Sequence, residues 1–302
     1  MKKTIIAASI AAVVAAPAAF ADVKISGQLN YELYSQDSNN TSTGDLGEDL
    51  NTDVVISGSE DLGNGMKVSF KLAGSPDGGN DGFGDDQTLT FSGDFGSLTV
   101  GRAETFIENK VRAMAANDTS DAFGNEVAGD MGQRSNGMFE YVSPSFSGVK
   151  LYISGNSYDG NVAHNDDFDM TSVGIEYSNA GLTVRAATAD GYDRTSGSAN
   201  TLTTTKSKEE ALAISYKMGD FTLAAVTASQ KNAGSAETDE TWYGASYAMG
   251  SNTISASSNS DSNVDTFSVK HSLSKSTSIG LTHQAAAASA DDVTVVTIAH
   301  KF

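Results

Sequence analysis

The sequence predicts an all-β fold, a sixteen-stranded antiparallel transmembrane β-barrel whose third loop folds inward. Three observations lead to this prediction. Apolar and polar residues alternate over most of the chain, which is the period of a β-strand with two different faces. Short turns alternate with longer polar segments, as in a barrel that crosses a membrane. One stretch, residues 102–134, breaks the alternation with a long irregular insertion.

The first 21 residues are predicted to be a cleaved secretory signal peptide. Met1-Lys2-Lys3 is basic, an apolar run reaches Ala18, and Ala19-Phe20-Ala21 has the small-x-small pattern of a cleavage site. No later segment reaches the ~20 consecutive apolar residues that a spanning helix needs. If the mature chain enters a membrane, it must therefore do so as a closed barrel.

The mature chain, residues 22–302, is predicted to be one strongly acidic barrel domain. Removing Lys2 and Lys3 from the 19 basic residues leaves 17 against 38 acidic ones, a formal charge of −21. A charge of this sign argues against nucleic acid as a partner. The absence of cysteine excludes disulfides and thiolate metal sites. No linker interrupts the strand pattern, so we expect one domain.

The first strand shows how the two faces differ. In residues 23–33 the odd positions are apolar apart from Gly27, and the even positions are polar. In an outer-membrane barrel this alternation places lipid outside and the lumen inside. In a soluble sandwich it would place a core on one side and water on the other, and the alternation alone does not separate the two.

The spacing of the turns favours the barrel. Seven short turns are flanked by runs of strand length; with both chain ends on the turn side, they give sixteen strands and eight loops. A barrel of that size leaves an aqueous channel. The turns lie at residues 60–65, 93–96, 143–148, 178–181, 217–220, 248–252 and 273–277. Longer polar segments between them include residues 36–52, 75–86, 158–167, 191–207 and 231–240.

Residues 102–134, third in the order of loops, are predicted to fold into the lumen and to set its bore. Residues 103–114 carry apolar side chains at helical spacing. Thr105 followed by Glu108 has the form of a capping box at a helix start. An acidic, glycine-bearing segment follows at residues 117–126.

No pattern in the sequence indicates an enzyme or a cofactor. The four histidines form no His-Glu-x-x-His motif, and no Gly-x-Ser-x-Gly elbow supplies a nucleophile. Residues 77–86 are rich in aspartate and glycine, as a calcium loop is, but the segment does not repeat along the chain. A solvated or latching loop is the alternative for that segment. We therefore expect no cofactor, no metal site and no catalytic residue.

Four stretches spread over the mature chain carry a resemblance to a known family. They are Ser57-Gly58-Ser59-Glu60-Asp61-Leu62-Gly63-Asn64-Gly65, Gly93-Asp94-Phe95-Gly96-Ser97-Leu98-Thr99-Val100-Gly101-Arg102, Tyr141-Val142-Ser143-Pro144-Ser145-Phe146-Ser147-Gly148 and His300-Lys301-Phe302. Together they resemble the general, non-specific porins of the Gram-negative outer membrane. The resemblance implies a sixteen-stranded homotrimer whose third loop forms a constriction. It also implies that the second loop, residues 75–86, latches onto the neighbouring subunit.

The resemblance further implies acids on the third loop that oppose basic residues on the barrel wall. Wall positions 53, 102 and 142 hold Asp53, Arg102 and Val142 here, and position 140, an arginine in a related pattern, holds Glu140. The terminal Phe302 matches the aromatic residue that the barrel-assembly machinery recognises. The predicted constriction acids are Glu104, Glu108, Asp118, Asp121, Glu126, Asp130, Asp53 and Glu140, and the predicted basic residues are Arg102, Arg185, Lys67 and Lys150.

The expected function is passive diffusion of ions and small hydrophilic solutes through a water-filled channel in the Gram-negative outer membrane. We expect cation preference, because acids outnumber bases at the predicted constriction. The expected partners are outer-membrane lipid and lipopolysaccharide, two further copies of the chain, the barrel-assembly machinery and the solutes themselves, with no nucleic acid.

Two other functions remain open from the sequence. A substrate-specific channel would need aromatic side chains along the lumen. Among the strand positions predicted to face inward, the aromatic residues are Tyr34, Tyr152 and Trp242. A surface adhesin or a barrel enzyme would act through its outer loops, whereas the longest insertion is the one expected inside the lumen.

Overall fold

In the computed structural model, each strand pairs with its neighbours in sequence, and β1 pairs with β16 to close an antiparallel barrel. The description covers residues 23–36, 46–75, 82–115, 134–157, 168–194, 202–232, 236–261, 263–285 and 292–302. The strands are β1 (Lys24–Gln36), β2 (Leu46–Gly63), β3 (Met66–Gly74), β4 (Gln87–Gly93), β5 (Gly96–Ala103), β6 (Ser135–Val142), β7 (Val149–Asn156), β8 (Met170–Asn179), β9 (Leu182–Arg194), β10 (Leu202–Met218), β11 (Phe221–Asn232), β12 (Thr238–Met249), β13 (Asn252–Asn259), β14 (Val264–Ser272), β15 (Thr277–Ala285) and β16 (Val293–Lys301). The predicted sixteen-stranded fold is confirmed.

The seven predicted turns join successive strands, but the strands reach further into the loop segments than predicted. β2 begins at Leu46 and β10 at Leu202, so parts of the predicted loops at residues 36–52 and 191–207 are strand. Beyond the membrane both faces of a strand meet water. Backbone pairing can therefore continue into polar segments that no longer alternate between apolar and polar residues. The prediction relied on that alternation and ended the strands too early.

The outer face of the barrel is apolar, and the inner face is largely polar. On β1, Ile25, Leu29 and Leu33 are exposed on the outside, whereas Asn30 and Glu32 are buried on the opposite face. Since successive residues of a strand point to opposite faces, the alternation predicted for β1 is the alternation observed.

Aromatic side chains gather on the outer wall near the turns. The Tyr141 hydroxyl donates a hydrogen bond of 2.7 Å to the carbonyl of Phe95. The rings of Phe221 and Tyr247 stack with their centroids 4.4 Å apart. Aromatic residues at this level form the interfacial girdle of transmembrane barrels, where an apolar ring with a polar tip meets the edge of the lipid.

The third loop enters the barrel directly after β5. It forms a π-helical turn, Ile107–Val111, followed by a 3₁₀ turn, Arg112–Ala115, and we call the two together the loop helix. The loop helix lies against the inner face of β9–β12. No helix in the described ranges is long and apolar enough to cross a membrane.

The barrel closes where Phe302, directly after β16, meets β1. The backbone N–H groups of Gly27 and Phe302 each donate a 3.0 Å hydrogen bond to the other residue's carbonyl. A Cβ at Gly27 would lie 2.5 Å from the Phe302 ring and 2.3 Å from the carbonyl oxygen of Asp53. This crowding explains why Gly27 interrupts the apolar alternation of β1. Whether Phe302 is also an assembly signal stays a prediction.

Replacing Gly27 by alanine should weaken closure of the barrel. The added methyl group meets a backbone carbonyl that cannot move without breaking the β1–β2 pairing, and overpacking of this kind costs ~1–3 kcal/mol. We expect a lower free energy of unfolding in urea and a smaller folded fraction in unheated gel samples. Gly84→Ala is the matched control, because a Cβ there meets open space. Equal stability of the two variants would contradict the account of Gly27.

Candidate functional site in the lumen

The apolar side of the loop helix is buried against the inner wall of the barrel. Phe106, Ile107 and Val111 are each at most 1% exposed. Fully burying a large apolar side chain contributes ~1.5–3 kcal/mol, so these three contacts hold the loop firmly inside the barrel. We call the wall residues beneath it the inner seat, and they are Tyr152, Met170, Ala187, Ala189, Ala211, Ala213, Val226, Ala228 and Trp242.

The inner seat is shaped around one aromatic ring of the loop. The Phe106 ring stacks on the Tyr152 ring, with 3.7 Å between their centroids and 19° between their planes. On β8, a Cβ at Gly174 would lie 2.3 Å from the Phe106 ring. A glycine at this inward position therefore makes the space that Phe106 occupies.

Charged wall residues bind the backbone at the two ends of the π-helical turn. The Glu140 carboxylate accepts a 2.8 Å hydrogen bond from the N–H of Phe106. The Arg185 guanidinium donates a 2.9 Å hydrogen bond to the carbonyl of Lys110, and its Nε lies 2.7 Å from Glu176. Helix ends leave backbone groups without partners in the helix, and here the barrel wall supplies those partners.

The loop helix begins close to the predicted start. Asn109 donates a 2.9 Å backbone hydrogen bond to the carbonyl of Thr105, and the π-helical turn runs from Ile107. Glu108 pairs with Arg112 one turn further on. The capping box of Thr105 and Glu108 stays a prediction. The contact of the wall residue Glu140 with the N–H of Phe106 could not be predicted from local sequence spacing.

A buried ion-pair network joins the loop helix to β10. Arg112 is paired with Glu108 on the loop, and its Nε lies 3.6 Å from the Glu209 carboxylate on the wall. The side chains of Arg112 and Glu209 are only 5% and 0% exposed. Removing one partner of a buried pair leaves a charge without compensation and costs ~3–5 kcal/mol. The network therefore fixes the rotation of the loop helix on the seat.

A second set of ion pairs closes the base of the third loop. Arg134, at the far end of the loop, lies 2.8 Å from Glu104 at its near end and 3.3 Å from Asp86. Lys71 on β3 lies 2.7 Å from the same Asp86. Burial disfavours the charged guanidinium, but the nearby carboxylates of Glu104, Asp86 and Asp85 outweigh it and raise the pKa of Arg134. Arg134 thus stays charged and holds the two ends of the loop together.

The described acids predicted for the constriction all have partners. Glu104 and Glu108 pair with arginines of the loop region, and Glu140 accepts the N–H of Phe106. Asp53 accepts a 3.2 Å hydrogen bond from the hydroxyl of Ser75. The four remaining predicted acids, Asp118, Asp121, Glu126 and Asp130, lie outside the described residues.

The predicted basic residues occupy different places along the wall. Arg185 contacts the loop helix, whereas Arg102 donates hydrogen bonds of 2.5 Å to the carbonyl of Gly84 and 3.2 Å to Asn136. Lys67 and Lys150 form no ion pair with any described residue. Whether any of these side chains lines the narrowest section of the channel stays a prediction.

Sequence reasoning missed the wall residues that hold the loop. Glu176, Glu209 and Gly174 were not singled out. Glu209 and Gly174 contact loop residues far away in the sequence, and Glu176 acts through its cross-strand neighbour Arg185, which in turn reaches Lys110 of the loop. One indication was present in the sequence. The inward positions of β9 and β10 carry alanines, where a water-filled lumen would favour polar side chains.

The described residues hold no cluster of three or more histidines and carboxylates that could bind a metal ion. What they present instead is a closed barrel with a helix-bearing loop fastened to one side of its lumen. The chain also matches the family model of Gram-negative porins over residues 7–292.

The chain belongs to the Gram-negative porin family.

As a porin, it is an outer-membrane channel, and family and fold point to a channel rather than an enzyme. No curated protein matches it by sequence.

Solved structures similar to this porin share its barrel. An anion-selective porin from Comamonas acidovorans has 19% identity and a TM-score of 0.70, with 93% of this chain and 100% of that chain covered. OmpF of Salmonella typhi, in complex with daunomycin, has 13% identity and a TM-score of 0.71, with coverages of 93% and 97%. The trimer form of OmpT, an outer membrane protein of Vibrio cholerae, has 11% identity and a TM-score of 0.72, with coverages of 93% and 99%. At these identities the likeness shows the fold.

The fit of Phe106 over Gly174 can be measured by a double-mutant cycle. Gly174→Ala should destabilise the porin, because the added methyl group overlaps the Phe106 ring. The same change in a Phe106→Ala background should cost much less, which gives an interaction energy of ~0.5–3 kcal/mol. Thermal unfolding in detergent, followed by circular dichroism, measures all four proteins. Additive effects of the two substitutions would show that Gly174 is not needed for the loop.

Proposed function

We propose that this porin is a passive, water-filled diffusion channel for ions and small hydrophilic solutes, narrowed by its third loop. The observation that carries the proposal is the fixed position of the loop helix inside a closed barrel. The loop helix covers one side of the inner wall. The opposite side keeps small hydroxyl-bearing residues on its inward positions, among them Ser57, Ser69, Thr90 and Thr99. Such a lining suits water and polar solutes.

The placement of the inward aromatic residues favours a non-specific channel over a substrate-specific one. A specific channel would need aromatic faces that meet the solute. Tyr152 and Trp242 are 8% and 0% exposed because they lie beneath the loop helix. They serve as packing surface, and of the three inward aromatics considered above, Tyr34 alone is left to meet a solute.

The proposal includes assembly into a homotrimer in the outer membrane. One similar structure is the trimer form of OmpT from Vibrio cholerae, which supports this assembly state. The apolar outer wall supports contact with lipid, to which we add lipopolysaccharide and the barrel-assembly machinery as partners. A cleaved signal peptide at residues 1–21 and latching by residues 75–86 belong to the same proposal. In that second loop, Asp86 binds Lys71 and Arg134 of its own barrel, and residues 76–81 lie outside the described ranges.

The proposed ion preference is for cations. It is supported by the formal charge of −21 on residues 22–302 and by the carboxylates of Asp118, Asp121, Glu126 and Asp130 on the loop. The ion pairs of Glu104 and Glu108 reduce the number of acids that act on passing ions. The likeness to an anion-selective porin shows the fold and does not decide the ion preference of this chain.

Deleting residues 104–130 should widen the channel. The deletion removes the loop helix from the inner seat, and we expect larger single-channel conductance and entry of larger sugars in a liposome-swelling assay. Deleting residues 286–289, an uncharged segment of the last loop, is the control and should leave the sugar limit unchanged. Unchanged sugar exclusion in the first variant would show that the third loop does not set the bore.

The cation preference can be measured as a zero-current potential in a salt gradient. The wild-type porin should show the cation-selective sign, most clearly at low salt, where screening is weakest. Neutralising two loop acids by Asp118→Asn and Glu126→Gln should shift the potential towards the non-selective value. An anion-selective wild type would overturn the proposed preference and leave the channel function intact.

A further inference from the structure

Six lysines lie on inward-facing positions at the turn end of the barrel. Each is within three residues of the turn end of its strand, on β1, β3, β7, β10, β14 and β16. They therefore surround the opening instead of clustering on one wall. We call them the lysine belt, and they are Lys24, Lys67, Lys150, Lys217, Lys270 and Lys301.

The strand pairing assigns the lysine belt to the lumen. Lys24 pairs with Ser57, Lys150 with Glu176 and Lys270 with Gly280. Each belt lysine also has the parity of the inward residues of its strand, opposite to exposed outer residues such as Ile25 and Tyr216. Directly opposed residues of an antiparallel pair face the same side of a sheet, so the belt points into the channel.

The lysine belt carries more charge than the inward acids at its level. None of the six lysines forms an ion pair with a described residue. Glu176 pairs with Arg185, so its charge is balanced within the wall. Asp61 and Glu140 accept backbone N–H groups, which leaves their own charge in place, and they offset part of the belt. Six lysines therefore outnumber two carboxylates on the inward positions at this end of the strands.

The inward acids outside this level lie far up the lumen, towards the loops. They are at least eight residues from the turn end of their strands, and they are Glu32, Asp49, Asp53 and Glu240. Glu209 lies at the same level but is paired with Arg112 of the loop helix. Eight residues of strand span ~26 Å. Charges are screened over ~8 Å at physiological salt, so the basic and acidic ends act on passing ions separately.

We infer that the channel is electrically polarised along its axis, with a basic turn end that attracts small anions and an acidic loop end that attracts cations. An opening lined by one sign of charge concentrates ions of the opposite sign. Small multivalent anions, such as phosphates and dicarboxylates, are the solute class favoured at the turn end. The inference rests on the proposed diffusion channel. It adds that the two openings of the channel prefer ions of opposite charge.

Reciprocal salt gradients across an oriented channel test the polarity without any change to the lumen. The orientation is read from a biotin attached through Ser276→Cys in the last turn, since the chain has no other cysteine. Streptavidin added to one compartment then identifies the turn side. The belt is least screened when the dilute solution faces the turns, so the anion-to-cation permeability ratio should be about twofold or more higher in that orientation.

Substitution of the belt provides the matched comparison. Lys24→Gln, Lys67→Gln and Lys217→Gln together should remove most of the difference between the two orientations. Lys206→Gln, Lys208→Gln and Lys231→Gln change the total charge equally, but at the loop end of the outer face, and should keep the difference. Tripolyphosphate should reduce the wild-type current at lower concentration from the turn side than from the loop side.

The outcomes separate the inference from the function on which it rests. A conducting wild type with equal permeability ratios in both orientations would overturn the axial polarity and leave the diffusion channel standing. A protein that inserts as a folded barrel and carries no current would overturn the proposed function itself. Loss of the difference in both triple variants would assign it to total charge and would also overturn the role of the belt.

Discussion

The contact between the loop helix and the alanine-rich wall of β9–β11 is the interaction on which the rest of the lumen depends. It decides which side of the barrel is covered and which side faces water. Apolar packing of Phe106, Ile107 and Val111 supplies attraction without direction, whereas Arg112 and Glu209 fix the rotation of the helix. Both the apolar packing and the ion pair need residues of the barrel wall. The wall therefore determines the width of the channel as much as the loop does.

The sequence was enough to predict the barrel, its strand number and the loop that enters it. These features follow from local patterns: period-two alternation, turn residues and one interruption of both. The attachment of the loop could not be predicted in the same way. Glu140 reaches the N–H of Phe106 across 34 residues, and Arg185 reaches Lys110 across 75. Such pairs depend on strand register and barrel curvature, which no short window of sequence contains.

Counting charged residues overstated the acidity of the site, and the pairing explains why. Glu104 and Glu108 have their arginine partners in the loop region itself, so they act as structural residues there. Of the lysine belt, only Lys67 and Lys150 were named in the prediction from the sequence. None of the six belt lysines has an ion-pair partner among the described residues. Only charged groups that have no ion-pair partner act strongly on a passing ion. Which groups are paired is known from the structure and not from the sequence.

The reciprocal hydrogen bonds between Gly27 and Phe302 have a consequence for folding. β1 pairs with β2, which is near in the sequence, and with β16, whose Thr297 lies 265 residues from its partner Glu32. Until that distant pairing forms, the sheet has two open edges, and open edges pair with other chains. Pairing of β1 with β16 therefore protects the folded chain against aggregation through its strand edges.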